Sequence, residues 1–238
     1  MNDNSIYQLY VAELTGRYPD MFAIIKHIVP NQTELTGTLI AYLCSACKNT
    51  IALKRLAFKK LTRIEGIEET TKTNQRLKLV RDFKFKILDE ISLFTEQLLH
   101  LIDHVLIPNS TVNEHKVTYY KMKADYMRYY CECLSGEKLK DYTAKTKTEY
   151  DNALQLSAST LSAIDPIRLG LSLNASVFYC ELLGNVGAGC RMAKETIEKA
   201  HSIIEDTPID NDVAAILQYL QDNLDSWKIE TFMGGTHL

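Results

Sequence analysis

Apolar residues recur at steps of three and four along much of the chain. The clearest run of apolar positions is Leu77, Val80, Phe83, Ile87, Ile91, Phe94, Leu98, Leu101 and Val105. Steps of this size place side chains on one face of an α-helix, so the run predicts one long amphipathic helix. The sequence contains no alternation of apolar and polar residues of the kind typical of half-buried strands. The pattern therefore predicts an all-α protein.

Prolines and small polar residues divide the helical pattern into segments. The five prolines fall where helices would begin or end: Pro19, Pro30, Pro108, Pro166 and Pro208. Further breaks are predicted around residues 70–74, 135–136 and 184–185. The segments amount to about nine helices, and their short connections favour antiparallel neighbours. No internal repeat of about 34 residues is visible, which argues against a helical-repeat solenoid.

Composition and charge narrow the classes of partner. The 238 residues carry a formal net charge of -3, and 46% of them are apolar. A negative chain has no general field that attracts nucleic acid, so any anion-binding site must be local. Charged residues interrupt the apolar stretches before they reach a membrane-spanning length, and the first ten residues lack a signal-peptide layout. We therefore expect a cytoplasmic protein with no nucleic-acid partner and no membrane insertion.

The spacing of cysteine and histidine residues gives only weak indications of chemistry. Cys44 and Cys47 form a CxxC, but no second pair follows at zinc spacing, so packed free thiols are expected. His100 and His104 are four residues apart, yet their segment is not HExxH, and a polar edge on a packed helix is the simpler interpretation. No serine or cysteine lies in a recognisable nucleophile motif. The sequence also lacks a glycine-rich phosphate loop, because its glycines follow no predicted strand. We expect no enzyme activity, no cofactor and no metal site.

Basic side chains share helical faces in two segments. Lys48 and Arg55 are seven residues apart, and Lys121, Arg128 and Tyr129 occupy positions i, i+7 and i+8. A solvated helical face is the commonest explanation of such spacing. Guanidinium groups, a lysine and a tyrosine hydroxyl are also the groups that bind a phosphate. Spacing alone leaves both interpretations open.

Five segments resemble the 14-3-3 family. They are AELTGRYPDM (12–21), KNTIALKR (48–55), YYKMKADYMRYYCE (119–132), PIRLGLSLNASVFYCELL (166–183) and ILQYLQDNLDSW (216–227). The resemblance implies an all-α, cup-shaped protomer of nine antiparallel helices over residues 1–230, with a flexible tail over residues 231–238. It also implies an adaptor that binds phosphoserine or phosphothreonine peptides of client proteins in an amphipathic groove. A scaffold of helical-repeat type that binds unphosphorylated partners is the alternative.

The resemblance further implies roles for individual residues. Lys48, Arg55, Arg128 and Tyr129 match the residues that hold the phosphate. The expected peptide groove contains Lys121, Asp125, Gly170, Leu173, Asn174, Val177, Glu181, Ile216, Tyr219, Asn223 and Trp227. Asn174 and Asn223 match side chains that hydrogen-bond the peptide backbone. Asp125 matches an acid that orients the basic side chains.

A homodimer or heterodimer is also implied. Its expected interface contains Val11, Arg17, Asp20, Phe83, Lys86 and Glu90. The four charged residues have signs that allow two ion pairs between subunits. Exposed ion pairs contribute little on their own, so apolar contact from Val11, Phe83 and neighbouring residues is expected to supply most of the association.

Two departures from the family pattern affect the groove and the tail. Ala215, Tyr219 and Ser226 stand where the family has leucine, so one apolar wall is more polar and an altered peptide preference is expected. Thr236 lies two residues from the C-terminus, a spacing that the family recognises when the residue is phosphorylated. The phosphorylated tail is therefore a candidate for binding in the chain's own groove. The alternative is a frayed tail that docks nowhere.

Overall fold

The computed structural model describes residues 3–71, 74–204 and 210–234, which form nine α-helices and no strand. The helices are α1 (Asp3–Leu14), α2 (Tyr18–Ile28), α3 (Gly37–Thr71), α4 (Asn74–Leu101), α5 (Asn113–Cys131), α6 (Gly136–Thr160), α7 (Pro166–Glu181), α8 (Val186–Ile204) and α9 (Asn211–Gly234). The prediction of an all-α fold with about nine helices is confirmed. Pro208 and Thr236 lie outside the described residues.

The long helix predicted from the apolar run is α4 and its continuation. After Leu101 the chain passes through a π-helical turn, Ile102–Leu106, and a last helical turn, Ile107–Asn109. His100 and His104 lie at this junction with ring centroids 4.6 Å apart. No group of three or more His, Cys, Asp or Glu among the described residues is arranged to hold a metal ion. No described helix is both long and apolar enough to span a bilayer.

The chain divides into two compact units, Met1–Thr111 and Val112–Leu238. The first unit contains α1 to α4. Its fully buried side chains include Leu9, Met21, Ile25, Leu39, Leu43, Ile51, Ile91 and Leu98. The rings of Phe22 and Phe94 meet with centroids 4.8 Å apart, and this contact joins α2 to α4.

Beyond this core, α3 and α4 are joined by an ion-pair network. The carboxylate of Glu65 accepts hydrogen bonds from Arg81 at 2.8 Å and from Lys84 at 2.7 Å. These hydrogen bonds lower the pKa of the Glu65 carboxyl. Arg81 also donates to Glu69 at 2.7 Å. A shared network of this kind restricts sliding between the two helices more than an isolated surface pair would.

The second unit contains α5 to α9, and α7 contributes to both of its apolar clusters. One cluster joins α7, α8 and α9 through Leu169, Cys180, Ala193, Ile197, Ala200, Val213, Leu217, Leu220, Leu224 and Trp227. The other joins α5, α6 and α7 through Val117, Ala124, Tyr150, Ala153, Leu161, Leu171, Ala175 and Phe178. Helix α7 is therefore buried on two sides, and its two other faces remain for contacts with ligands.

The start of α7 is set by a local sequence signal. Asp165 is the N-cap residue, and its carboxylate accepts from the backbone N–H of Ile167 at 2.8 Å and of Arg168 at 3.3 Å. Pro166 follows at the first helical position, where its missing N–H is not needed. These residues fix where the first turn begins and therefore which residues of α7 face each neighbour.

Helices α7 and α8 approach closely at Gly189. A Cβ atom there would collide with Cys180 Sγ and would lie 2.8 Å from the backbone oxygen of Ser176. Gly187, in the same helix, has no heavy atom within 4 Å of the corresponding position. The packing therefore requires glycine at position 189 but leaves room for a side chain at position 187.

We predict that Gly189→Ala destabilises the protein by about 1–3 kcal/mol because the added methyl overpacks the contact between α7 and α8. Gly187→Ala is the matched control, and it should be neutral or slightly stabilising because alanine favours the helix. Urea denaturation of both variants measures the difference. Equal stability of the two variants would contradict the close approach at Gly189.

Candidate functional site

Helix α3 carries one pair of the basic residues singled out in the sequence. Lys48 is exposed and Arg55 is partly buried. The helix is continuous from Gly37 to Thr71, so a separation of seven residues places both side chains on one face. Both residues belong to the first unit.

Helix α5 carries the other pair, and here the basic side chain is buried. Arg128 is only 7% exposed. Its Nε donates to the hydroxyl of Tyr150 at 3.1 Å, and its Nη1 donates to Glu132 at 3.0 Å. Its guanidinium carbon lies 4.5 Å from the ring centroid of Tyr129, a cation–π distance. Three side chains therefore hold this guanidinium in one orientation.

The hydroxyl of Tyr150 links Arg128 to a buried acid. Tyr150 is fully buried, and its O–H donates to Asp125 Oδ1 at 2.7 Å while its oxygen accepts from Arg128. The other oxygen of Asp125 accepts from Lys121 at 2.7 Å and from the Asn174 amide at 2.8 Å. Asp125 therefore contacts Lys121 directly and reaches Arg128 through the tyrosine, which refines the orienting role expected for this acid.

Asp125 and Arg128 are both stabilised in their ionised forms. Burial raises the pKa of the Asp125 carboxyl, but the charges of Lys121 and Arg128, together with hydrogen bonds, outweigh it and leave the pKa below the ordinary value. Burial lowers the pKa of the Arg128 guanidinium, but Tyr150 and Asp125 raise it by more, and it stays protonated. Burial, with Asp125, raises the pKa of the Tyr150 hydroxyl, which is therefore a neutral donor.

Several groove residues expected from the sequence are brought together in the second unit. Gly170 lies beside Lys121, whose Cε would be 3.5 Å from a Cβ atom at that position. The residues expected to form the apolar wall belong to one cluster: partly buried Leu173, Val177 and Ile216 pack against a buried group that includes Trp227. A polar centre of lysine, aspartate and asparagine and an apolar strip thus lie on the same side of α7.

The other residues expected in the groove are more exposed to solvent. Glu181 and Tyr219 are exposed, and Tyr219 has 60% of its surface accessible. Asn223 is partly buried on α9. The hydroxyl of Ser226 donates to the backbone oxygen of Asp222 at 2.9 Å, so its polarity is partly satisfied within the helix. Glu181 is the last residue of α7, whereas Tyr219, Asn223 and Ser226 lie on α9.

Two residues of the cluster were missed by the sequence analysis. Glu132 follows Arg128 by four residues, and this helical i, i+4 spacing of opposite charges could have identified it. Tyr150 lies 22 residues beyond Arg128 on another helix, and no local pattern marks it. The bridging hydroxyl becomes visible only when α5 and α6 are packed together.

The residues expected at a dimer interface all lie in the first unit. Val11 is 40% exposed and Phe83 is 60% exposed. Arg17 forms an ion pair with Asp20, and Glu90 forms one with Lys54, so these charges are paired within the single chain. Lys86 is exposed.

Exposed apolar side chains are unevenly distributed along the chain. Those in the first unit are Tyr7, Tyr10, Val11, Leu14, Leu53, Leu56, Ile64, Ile67, Leu79, Phe83, Phe85 and Leu93. Among the described residues, only Ile203 and Tyr219 are comparable in the second unit. The exposed apolar surface of the described residues is therefore concentrated in the first unit.

The sequence of this chain is similar to those of one family of known proteins. The family model described as "14-3-3 protein" matches residues 8–228. The chain is 36% identical over 230 residues to 14-3-3-like protein G-BOX factor 14 kappa of Arabidopsis thaliana, covering 94% of this chain and 93% of that protein. It is 33% identical over 237 residues to 14-3-3 protein 7 of Solanum lycopersicum, covering 99% and 94% respectively.

A relative from yeast matches to a similar degree. The chain is 34% identical over 227 residues to the "Checkpoint signal transducer rad25" of Schizosaccharomyces pombe, covering 94% of this chain and 84% of that protein. The matches extend over nearly the whole chain and include both units. The chain belongs to the 14-3-3 family, and this membership supports an adaptor or regulatory protein.

The buried acid predicts how stability depends on pH. Because the folded-state pKa of Asp125 is below its value in the unfolded chain, its ionised form stabilises the fold above that value, and this contribution is lost as pH falls through the folded pKa. We predict that Asp125→Asn is less stable at about pH 7 and loses less stability than wild type between about pH 4 and pH 2.

Urea denaturation at several pH values measures this difference. Asp141→Asn, which removes an exposed carboxylate from α6, controls for the loss of one negative charge. If the two variants had the same pH profile, the hydrogen-bonded Asp125 would not be the source of the acid sensitivity.

Proposed function

We propose that this protein is a non-enzymatic adaptor that binds phosphoserine or phosphothreonine segments of client proteins. In this proposal, Lys48 and Arg55 of the first unit and Arg128 and Tyr129 of the second unit bind the phosphate. The observation that carries the proposal is the buried guanidinium of Arg128, which is oriented before any ligand arrives.

An oriented, buried guanidinium suits a phosphate for two reasons. First, little conformational entropy remains to be lost on binding, because Tyr150, Glu132 and Tyr129 already restrict the side chain. Second, the Nη2 group of Arg128 donates to no described residue, so one edge of the guanidinium remains for a phosphate oxygen. Charge-assisted hydrogen bonds of this kind are among the strongest in proteins.

We propose that the peptide backbone binds beside the phosphate, along α7 and α9. The Asn174 amide nitrogen is engaged by Asp125, while its amide oxygen accepts from no described residue. That oxygen is therefore suited to accept a peptide N–H, with Asn223 as a second contact. The adjacent apolar strip of Leu173 and Val177 suits a neighbouring apolar side chain of the client.

The outer wall of this groove supports an altered client preference. Exposed Tyr219 adds an aromatic surface and a hydroxyl, and Ser226 adds a second hydroxyl. Clients that offer a polar or aromatic group at this position should be favoured over purely aliphatic ones. We also propose that the protein binds its clients in the cytoplasm.

We also propose that the protein forms homodimers or heterodimers through its first unit. The concentration of exposed apolar side chains there, including Val11 and Phe83, supports this proposal. Between α1 and α2 an apolar cleft of about 460 Å³ is lined by Tyr7, Val11 and Ile24, and it offers a concave surface for a partner's side chains. Two linked grooves would bind doubly phosphorylated clients more tightly through effective concentration.

We predict that Arg55→Ala and Arg128→Lys each weaken binding of a phosphopeptide by about tenfold to a hundredfold, because a charge-assisted bond is lost. The lysine variant keeps the charge at position 128 and removes the guanidinium geometry. Calorimetric titration with a peptide in its phosphorylated and unphosphorylated forms measures the effect. Wild type should bind only the phosphorylated form with appreciable affinity.

The control for Arg55→Ala is Lys60→Ala, which removes a positive charge from an exposed position on another face of α3. It should bind the phosphopeptide as wild type does. Unchanged binding by the Arg55 or Arg128 variant would show that the site is assigned to the wrong residues. Equal affinity for both forms of the peptide would instead favour a scaffold that binds unphosphorylated partners.

We predict that Phe83→Ser shifts the protein toward monomer, since a large exposed apolar side chain is lost from the proposed interface. Sedimentation equilibrium should give wild type a mass near twice the 27.1 kDa protomer and the variant a mass closer to one protomer. Ile203→Ser, which removes an exposed apolar side chain from α8, should leave the mass unchanged. A monomeric wild type would refute this interface.

A further inference from the structure

A second concave site lies on α7, between α6 and α8, inside the second unit. It has a volume of about 410 Å³, and its lining includes Arg168, Ser172 and Tyr179 of α7. Successive residues of a helix are about 100° apart, so these three positions share a face that lies about 180° from Leu173, Asn174 and Val177. The cavity therefore opens on the opposite side of α7 from the candidate peptide groove.

The charges around this cavity are predominantly positive. Arg168, Arg191 and Lys199 line it, against the single carboxylate of Glu195. Lys199 Nζ lies 3.7 Å from Glu195 Oε2, while Arg191 makes no ion pair within the described part of the chain. A positive cavity in a chain with a net charge of -3 is a local feature that concentrates anions.

Two side chains of α7, Arg168 and Ser172, offer hydrogen-bond donors to an anion in the cavity. Arg168 Nη1 donates to the backbone oxygen of Leu161 at 2.7 Å, which orients its guanidinium. Ser172 is only 6% exposed, lines the cavity and forms no hydrogen bond to any described residue through its hydroxyl. The Ser172 hydroxyl is not one of the enclosed, unsatisfied polar atoms of the described residues, so it is accessible from the cavity and can donate to a ligand oxygen.

One wall of the cavity is apolar. Leu154 of α6 and Met192 of α8 line it, and both also pack against the core between α5, α6 and α7. A bare inorganic anion would leave this wall uncovered. The volume lies within the range of about 300–1,000 Å³ that small-molecule sites occupy, with apolar walls and a few convergent polar groups.

We propose that this cavity binds a small organic phosphate monoester, independently of the phosphopeptide groove. Arg168, Arg191 and the Ser172 hydroxyl bind the phosphate, and the organic body packs on Leu154 and Met192. The site therefore gives the adaptor a second input, a small metabolite, on the face of α7 away from the client.

The test uses phenyl phosphate as probe and the full chain carrying ¹³C-methyl methionine. Met192 reports directly on the cavity wall, and Met192→Leu assigns its signal. Phenyl phosphate should shift this signal saturably. Inorganic phosphate, which lacks the apolar body, and phenol, which lacks the charge, should each bind more weakly.

Paired variants on α8 separate a built site from general surface charge. Arg191→Gln should weaken the probe about tenfold, because a charge-assisted hydrogen bond is lost. Lys194→Gln, three residues away, outside the cavity and paired with Glu198, should leave the affinity unchanged. Glu195→Gln removes the only carboxylate of the lining and should strengthen binding, whereas Glu198→Gln should have no effect.

The proposal is overturned by any of three results. The Met192 signal could fail to respond to phenyl phosphate up to tens of millimolar. Arg191→Gln and Lys194→Gln could weaken the probe equally, which would show diffuse surface attraction. The Arg55→Ala variant could abolish the Met192 response, which would make the candidate groove the binding site. The gain expected from Glu195→Gln does not depend on whether a weakened variant folds well.

Discussion

The hydrogen-bonded chain from Asp125 through Tyr150 to Arg128 is the constraint on which the candidate site depends. A buried charge is costly alone, and removing one partner of such a set leaves the other uncompensated. Here a neutral hydroxyl accepts from the cation and donates to the anion, so each buried group has its partner. The Tyr150 ring packs on Phe178 with centroids 5.1 Å apart, so the apolar core also sets the position of the guanidinium.

Helix α7 organises the second unit because each of its faces meets a different environment. Leu169 faces the cluster with α8 and α9, and Phe178 faces the cluster with α5 and α6. Between these buried faces, Asn174 contributes to the polar centre beside Asp125, and Ser172 contributes to the positive cavity on the other side. The candidate groove and this cavity lie on opposite sides of one buried helix, and the same packed neighbours support both.

The sequence predicted the helices well because their signals are local. Apolar spacing located α4, and Pro166 after Asp165 marked the start of α7. The π-helical turn after Leu101 and the close approach at Gly189 were not predicted, since both depend on packing between helices that are separate in the sequence. The basic faces of α3 and α5 could be read from spacing, but a solvated face and a binding site have the same spacing.

By itself, the sequence determined the all-helical class, the approximate number of helices and, through its resemblance to a family, the residues to inspect. Tertiary structure decided that Arg128 is buried rather than solvated, because burial depends on which helices cover a face and not on the face alone. It also decided the role of Tyr150, whose hydroxyl joins Asp125 and Arg128 from a distant helix. Local periodicity specifies a helix and its faces, whereas the protonation and orientation of a buried side chain depend on neighbours that only folding brings together.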